Sequence, residues 1–351
     1  MHLRYWHFDL KLVNTWRIAS GFGGAGGTTY AVVFVELRDD EGRVGIGESA
    51  PSSRYQENSK SVEAFLRKVD AQRLSFDDVA GSMRYLDEVA TGDDAAKCAL
   101  NLALLDGMAK GRKVPIYDFL KLGFTEGRHV TSFSIGIDKP EVIRRKVEQA
   151  EVYPVLKLKV GSPDDELNLT ALRLVAPKKR VRVDANEAWK TRDEALKRIE
   201  WLAQDKHIEF IEQPMPASSK REDMAWLKER SPLPIFGDES CQHVSDVEHC
   251  GECFHGVNVK LVKTGGISGA YEVLTAARKA GLKTMIGCMI ESSVLISAAA
   301  QVAELADHLD IDGNLLISND PYVGPTSEGG VVSFAKAAEA HGLRVKKRSD
   351  Q

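Results

Sequence analysis

The sequence predicts a two-domain α/β protein, in which an α+β unit precedes a parallel barrel with its helices outside. Three observations carry this expectation. At 351 residues, the chain is about two domains long at ~150 residues each, and a single hydrophobic core would be stretched. Its patterning changes near residue 125. Beyond that point, eight short apolar segments alternate with amphipathic helical ones. With 43% hydrophobic and 28% charged residues and a mean hydropathy of -0.25, the chain can bury cores and reads as neither disordered nor membrane-spanning.

Before residue 125, strand-like stretches at 3–12 and 29–38, with a turn at Asp40-Glu41-Gly42, are followed by helical periodicity over 59–69 and 95–110. From 130 onward, strands are expected at 130–135, 155–160, 180–183, 208–211, 234–236, 257–259, 282–286 and 309–311. Helices at 141–150, 166–176, 192–204, 268–280 and 293–305 fill the gaps. Repeats of this length suit a closed barrel, with a doubly wound open sheet as the alternative.

The strand ends favour the barrel. Val155-Leu156-Lys157-Leu158-Lys159 puts both lysines on one strand face. Later strands end in Asp184, Glu212, Asp238, Lys260 and the pair Asp310 and Asp312. From Lys159 the first four steps are 25, 28, 26 and 22 residues, each one βα unit. A closed barrel gathers such ends at its C-terminal face, where barrel enzymes place their chemistry. A single acid after an apolar strand is usually a cap or turn residue, but five successive charged ends are not explained that way. Three converging carboxylates would repel one another unless a hard cation such as Mg²⁺ neutralised them. Lysines on either side could remove and return a proton at one carbon, provided like charge from Lys157 and the cation lowers their pKa.

Other signals carry less. A net charge of -4 disfavours nucleic acid as a partner. Five cysteines in a chain that opens without an apolar leader suit a reducing, cytoplasmic setting, with no membrane association. The cluster His249, Cys250, Cys253 and His255 reads as a reduced helix-to-strand connection, with zinc or a disulfide as the alternative. Gly21, Gly23 and Gly26 match a dinucleotide-binding pattern, but they precede a strand rather than open a helix, which suits a glycine-rich lid.

Taken together, Lys157-Leu158-Lys159-Val160-Gly161, Val183-Asp184-Ala185-Asn186, Ile211-Glu212-Gln213-Pro214, Gly237-Asp238-Glu239-Ser240, Asn258-Val259-Lys260, Lys263-Thr264-Gly265-Gly266 and Gly47-Glu48-Ser49-Ala50-Pro51 resemble the enolase superfamily. Within it the chain is most similar to the muconate-lactonizing-enzyme subgroup and its dipeptide epimerases, of the L-Ala-D/L-Glu epimerase kind. The resemblance implies an α+β capping domain over residues 1–125, a (β/α)7β modified TIM barrel over 126–325, and a segment over 326–351 that packs back on the cap. It implies Mg²⁺ on Asp184, Glu212 and Asp238, an acid/base pair in Lys159 and Lys260, and an auxiliary Lys157. Cap loops at 14–27 and 50–58 would seal the mouth, and Asp310 and Asp312 would bind the free α-ammonium of a dipeptide. Glu187-Ala188-Trp189 departs from the more usual Gln-Gly-Trp.

The expected reaction is a 1,1-proton transfer at the α-carbon of the dipeptide's C-terminal residue through an enediolate. Cycloisomerisation of muconate, o-succinylbenzoate synthesis and N-acylamino acid racemisation are the alternatives on the same machinery. A Schiff-base aldolase would leave the three carboxylates unexplained. Arg17 and Phe22 of the first cap loop are the candidate specificity contacts, with Arg17 beside Trp16 reading alternatively as cap framework; the glycines around Phe22 favour an uncharged side chain over glutamate, and Arg54 and Glu57 of the second loop could tune charge. A homo-oligomer is expected.

Overall fold

The computed structural model describes residues 1–19 and 27–349. Its N-terminal unit is an antiparallel meander of β1 (His2–Trp16), β2 (Gly27–Arg38) and β3 (Val44–Ser49), followed by α1 (Ser59–Leu66), α2 (Val79–Val89), α3 (Asp94–Gly111) and the single turn α4 (Ile116–Phe119). Asn58 and Ser61 form a capping box at α1, and the Asp78 carboxylate caps α2. The alanine-rich α3 is buried on nearly every side, as a helix covered by a sheet on one flank and a second domain on the other must be. Gly45 and Gly47 allow this contact: a Cβ on either would lie 1.9 Å from the carbonyl oxygen of Ala103 or Ala99. Sequence periodicity passed over β3 because those glycines dilute its strand character, and over α2 because Gly81 and Ser82 interrupt its apolar stripe.

The second unit alternates strands and helices: β4 (Phe133–Ile135), α5 (Pro140–Gln149), β5 (Val155–Lys159), α6 (Asp165–Val175), β6 (Arg180–Asp184), α7 (Arg192–Leu202), β7 (Ile208–Glu212), α8 (Arg221–Arg230), β8 (Ile235–Gly237), α9 (Val247–Cys253), β9 (Gly256–Lys260), α10 (Ile267–Lys279), β10 (Lys283–Gly287), α11 (Ser293–Ala300) and β11 (His308–Asp310). All eight expected strands are present, in the consecutive parallel order of a barrel rather than the switched order of an open sheet. The ring closes through the Thr131↔Leu309 bridge and the bond from Ser132 N to Leu309 O at 3.1 Å. The expected 293–305 helix ends at Ala300 and resumes as a single 3₁₀ turn at Ala303–Leu305. The unexpected helices, α8 and α9, bury two and three residues respectively, too few for a clear apolar period.

Residues beyond the barrel tie the two units together. Short strands β12 (Tyr322–Val323) and β15 (Lys346–Lys347) pair with each other, as do β13 (Thr326–Glu328) and β14 (Val331–Ser333). Leu343 N donates to the buried Asp106 carboxylate of α3 at 2.8 Å, and the Leu343 carbonyl accepts from Ser297 Oγ of α11. Glu48, at the end of β3, accepts from Ser292 N at 2.9 Å, Ser292 Oγ at 2.6 Å and Leu295 N at 3.0 Å. A cap-domain carboxylate thus satisfies the orphan donors at the start of a barrel helix.

Glu304 makes a second joint, accepting from Thr125 N at 2.7 Å, His129 Nε2 at 2.9 Å and Arg128 Nη1 at 2.7 Å. Its burial raises its pKa, but these bonds outweigh the burial and hold it at about 2, below its ordinary 4.5. A depressed carboxylate stabilises the fold above its unfolded pKa and loses that contribution as pH falls toward the folded one. Glu304→Gln should therefore flatten acid unfolding between about pH 4.5 and 2, at a cost of about 1–3 kcal/mol at neutral pH. Denaturant titrations across that range check this; an unchanged acid limb contradicts it.

Candidate active site

Sheet register levels the charged groups at one end of the ring. Lys159 is paired with Asp184 across β5 and β6, Asp184 with Glu212 across β6 and β7, and Lys260 and Asp310 flank Gly287 across β9, β10 and β11. Asp238 follows directly on β8. Because strand order runs consecutively from β4 to β11, three strands separate β5 from β9 on either side of the ring. Lys159 and Lys260 therefore stand across the barrel from each other. The strands between them carry Asp184, Glu212 and Asp238 on one side, and Asp310, Asp312 and Ser134 at the ends of β11 and β4 on the other.

A cavity opens at this face. Its walls include Lys157, Lys159, Lys260, Asn186, Glu239, Asp310, Asp312 and Ser134 from the barrel, with Leu12, Trp16, Ile18, Tyr30, Ser52, Arg54 and Tyr55 from the cap. The three carboxylates of β6 to β8 lie below it, fully buried. Lys157 Nζ reaches Asp310 at 2.6 Å, Glu212 at 2.8 Å and Asp184 at 3.1 Å. Lys159 Nζ is 2.6 Å from Asp184, Lys260 Nζ 2.7 Å from Asp238, and Lys263 Nζ 2.6 Å from the second Asp238 oxygen. Asn258 Nδ2 donates to Glu212 Oε1 at 2.9 Å.

This arrangement changes one expectation. Like charge from a neighbouring lysine is expected to lower a lysine pKa, yet Lys157 and Lys260 each sit on carboxylates that outweigh it. Burial pulls Lys157 down, but Asp310, Glu212 and Asp184 outweigh it and hold it well above its ordinary value; Asp238 does the same for Lys260. On the acidic side, burial pushes up all three carboxylates. Lysine charge nonetheless holds Asp184 and Asp238 well below the carboxylate range. Glu212 is lifted to about 7 by burial and by Asp184.

Among the described residues, no three carboxylates close on one point tightly enough to hold an ion as they stand. The donor chemistry nevertheless fits a hard divalent cation: three buried carboxylates on adjacent strands, all oxygen. Glu212 Oε2 lacks a hydrogen bond although Lys157 lies 2.8 Å away, because that ion pair is off the bonding direction. The orphan oxygen is a lone pair left for another partner.

Asp310 accepts from Ser132 Oγ at 2.6 Å as well as from Lys157. Asp312 accepts from Ser134 N at 2.6 Å and makes no capping bond to the turn that follows it. Its carboxyl is pushed up to about 7 by burial and by Asp310, so this corner of the cavity favours an arriving positive charge.

The expected cap-loop contacts fall differently. Phe22 and Gly21, Gly23 and Gly26 lie outside the described residues. Arg17 is exposed, and its carbonyl accepts from Ile137 N at 3.0 Å. Trp16 and Ile18 are the residues on the cavity wall, because extended backbone sends alternate side chains to opposite faces. In the second loop, Arg54 and Tyr55 line the cavity while Glu57 turns away to accept from Ala95 N at 3.2 Å. Cys250 and Cys253 sit buried on α9, their thiols on the carbonyls of Ser240 and Arg221.

Several wall residues had no assigned role in the sequence. Asn186 and Glu239 sit inside the quoted motifs, two and one residues beyond their acids, and could have been found there. Met289 and Ile290 follow β10, the one strand among β5 to β11 with no charged residue at its end or directly after it, so a search for charged ends passes over them.

Comparison with known proteins completes the picture. Residues 18–121 match the mandelate racemase / muconate lactonizing enzyme N-terminal domain, and residues 141–326 match the enolase C-terminal domain-like family. The L-Ala-D/L-amino acid epimerase of Pedosphaera parvula is 62% identical over 346 residues, 99% of either chain. The L-Ala-D/L-Glu epimerase of Bacteroides thetaiotaomicron is 37% identical, over 95% of this chain and 85% of that one. The dipeptide epimerase of Enterococcus faecalis, solved with Mg and L-Leu-L-Tyr, superposes with a TM-score of 0.87 at 28% identity, over 98% of each chain. With a matching cap, a matching barrel and relatives similar along the whole chain, this protein belongs to the enolase superfamily, as an isomerase of its mandelate racemase / muconate lactonizing enzyme family.

Proposed function

We propose that this enzyme epimerises dipeptides at the α-carbon of the C-terminal residue, with Mg²⁺ as its cofactor. The observation that carries the reading is the division of the barrel mouth: a carboxylate-rich half, an ammonium-seeking half, and a lysine at each junction between them. The relatives named above support the substrate class. Asp184, Glu212 and Asp238 would hold the cation, which when bound supplies positive charge to the substrate carboxylate as its α-proton leaves. Lys159 and Lys260, on the strands that border these carboxylates, would be the two bases.

Each lysine then faces one side of the α-carbon. One takes the proton, the negative charge spreads into the carboxylate as an enediolate, and the other lysine returns a proton to the opposite face. Lys157, which bridges both halves of the mouth, stays an auxiliary positive charge. Asp310 and Asp312 would receive the dipeptide's free ammonium, a charge-assisted interaction that an N-acylated amino acid cannot make. The cavity's apolar wall of Leu12, Trp16, Ile18, Met289 and Ile290 suits an uncharged C-terminal side chain.

Two experiments test this. Chelator should abolish turnover, and Asp238→Asn should lose Mg²⁺ affinity while keeping its circular dichroism spectrum; full activity in excess chelator overturns the metal assignment. Asp312→Asn should weaken kcat/KM for a free dipeptide by about tenfold or more, on the scale of a charged hydrogen bond, and leave N-acyl substrates little changed. A wild-type enzyme that prefers N-acyl amino acids refutes the dipeptide reading.

A further inference from the structure

Arg54 is the one arginine on the described part of the cavity wall, and it is already engaged. Its Nε and Nη2 donate to the two carboxylate oxygens of Glu187 at 2.6 and 2.7 Å, a bidentate pair that joins the second cap loop to the loop after β6. Glu187 is held for this task. Its Oε1 also accepts from Ala217 N at 2.7 Å, its carbonyl accepts from Lys190 Nζ at 2.7 Å, and it follows Asn186 through left-handed backbone, φ 66° and 42°. Its side chain is only 10% exposed. The lysines of the wall are likewise taken, by Asp184, Asp238 and Asp310.

We propose that Glu187 determines side-chain specificity by occupying Arg54, and so denies the cavity a cation for an acidic C-terminal side chain. The physical reason is competition. A substrate carboxylate entering near Arg54 would have to displace a bidentate partner that the protein has already oriented, and it would meet the negative charge of Glu187 as it did so. An apolar side chain faces neither cost. The same pair anchors the loop that carries Tyr55, but anchoring alone would not distinguish acidic from apolar substrates. This assignment rests on the dipeptide reading above.

The test compares the wild type with Glu187→Gln, Arg54→Gln and the double variant on L-Ala-L-Leu and L-Ala-L-Glu. Gln at 187 keeps the acceptor for Ala217 N, and Glu187→Ser serves if that variant does not fold. In Glu187→Gln the ratio of kcat/KM for L-Ala-L-Glu over L-Ala-L-Leu should rise about tenfold or more, the scale of one charge-assisted hydrogen bond between Arg54 and the substrate carboxylate. Arg54→Gln and the double variant should show no rise. A ratio within twofold of wild type in Glu187→Gln overturns the proposal. So does an equal rise in Arg54→Gln, which would mean that loosening the loop, not freeing the cation, widens specificity. Calorimetric binding of the same two dipeptides reads the shift without turnover. Tighter binding of L-Ala-L-Glu by Glu187→Gln with no epimerisation by any form sustains this proposal while refuting the epimerase reading, and unchanged binding refutes the proposal itself.

Discussion

The architecture turns on the compensation of charge buried at one end of the barrel. Lys157 is the pivot: its ammonium, 1% exposed as a residue, lies within 3.1 Å of Asp184, Glu212 and Asp310. Moving any one of these charges out of water unpaired would cost several kcal/mol. The ring therefore has to bring strands β5, β6, β7 and β11 to one level, and a slip of one residue in any of them would turn its charged group into the helical layer. The arrangement that satisfies the buried charges also places two ammoniums across one cavity. Stability and chemistry here make the same demand on register.

The cap supplies the other wall of the cavity above that cluster. It is joined to the barrel by directed polar bonds as well as by packing. Glu48 caps α11, Asn101 of α3 bonds Ser268 at the start of α10 at 2.8 Å, and Arg54 grips Glu187. Gly266, at φ 112°, allows the Asn101 approach, since a Cβ there would fall 2.5 Å from Asn101 Oδ1. Each joint places a charged or amide group from one domain on backbone or side-chain hydrogen-bonding partners of the other. Low dielectric strengthens such bonds, provided every member is satisfied.

Much of this was legible in the chain because the barrel repeats. Strand ends recurring every 22 to 28 residues with a charged group are a signal that local propensity alone does not supply, and they mark the lysines and carboxylates from the chain alone. The direction of the lysine pKa shifts was not legible. It depends on whether an ammonium leans toward its lysine neighbour or toward an acid two strands away, which is a matter of packing rather than spacing. The first cap loop is a related case: the charge of Arg17 is visible in the chain, but the alternation that puts Trp16 and Ile18 on the cavity wall depends on how far β1 extends. Glu187 stood out as a departure from pattern, and only the fold brings it beside Arg54, 133 residues away.

The central claim is that Lys159 and Lys260 serve opposite faces of one carbon. It is tested most directly by incubating each separated epimer of a dipeptide with Mg²⁺ in D₂O and either Lys159→Ala or Lys260→Ala, and following α-deuteration by mass spectrometry. The account predicts that neither variant interconverts the epimers, and that each still exchanges the α-proton of a single epimer, a different one for each variant. Unimpaired epimerisation by either variant, or exchange of the same epimer by both, would contradict it.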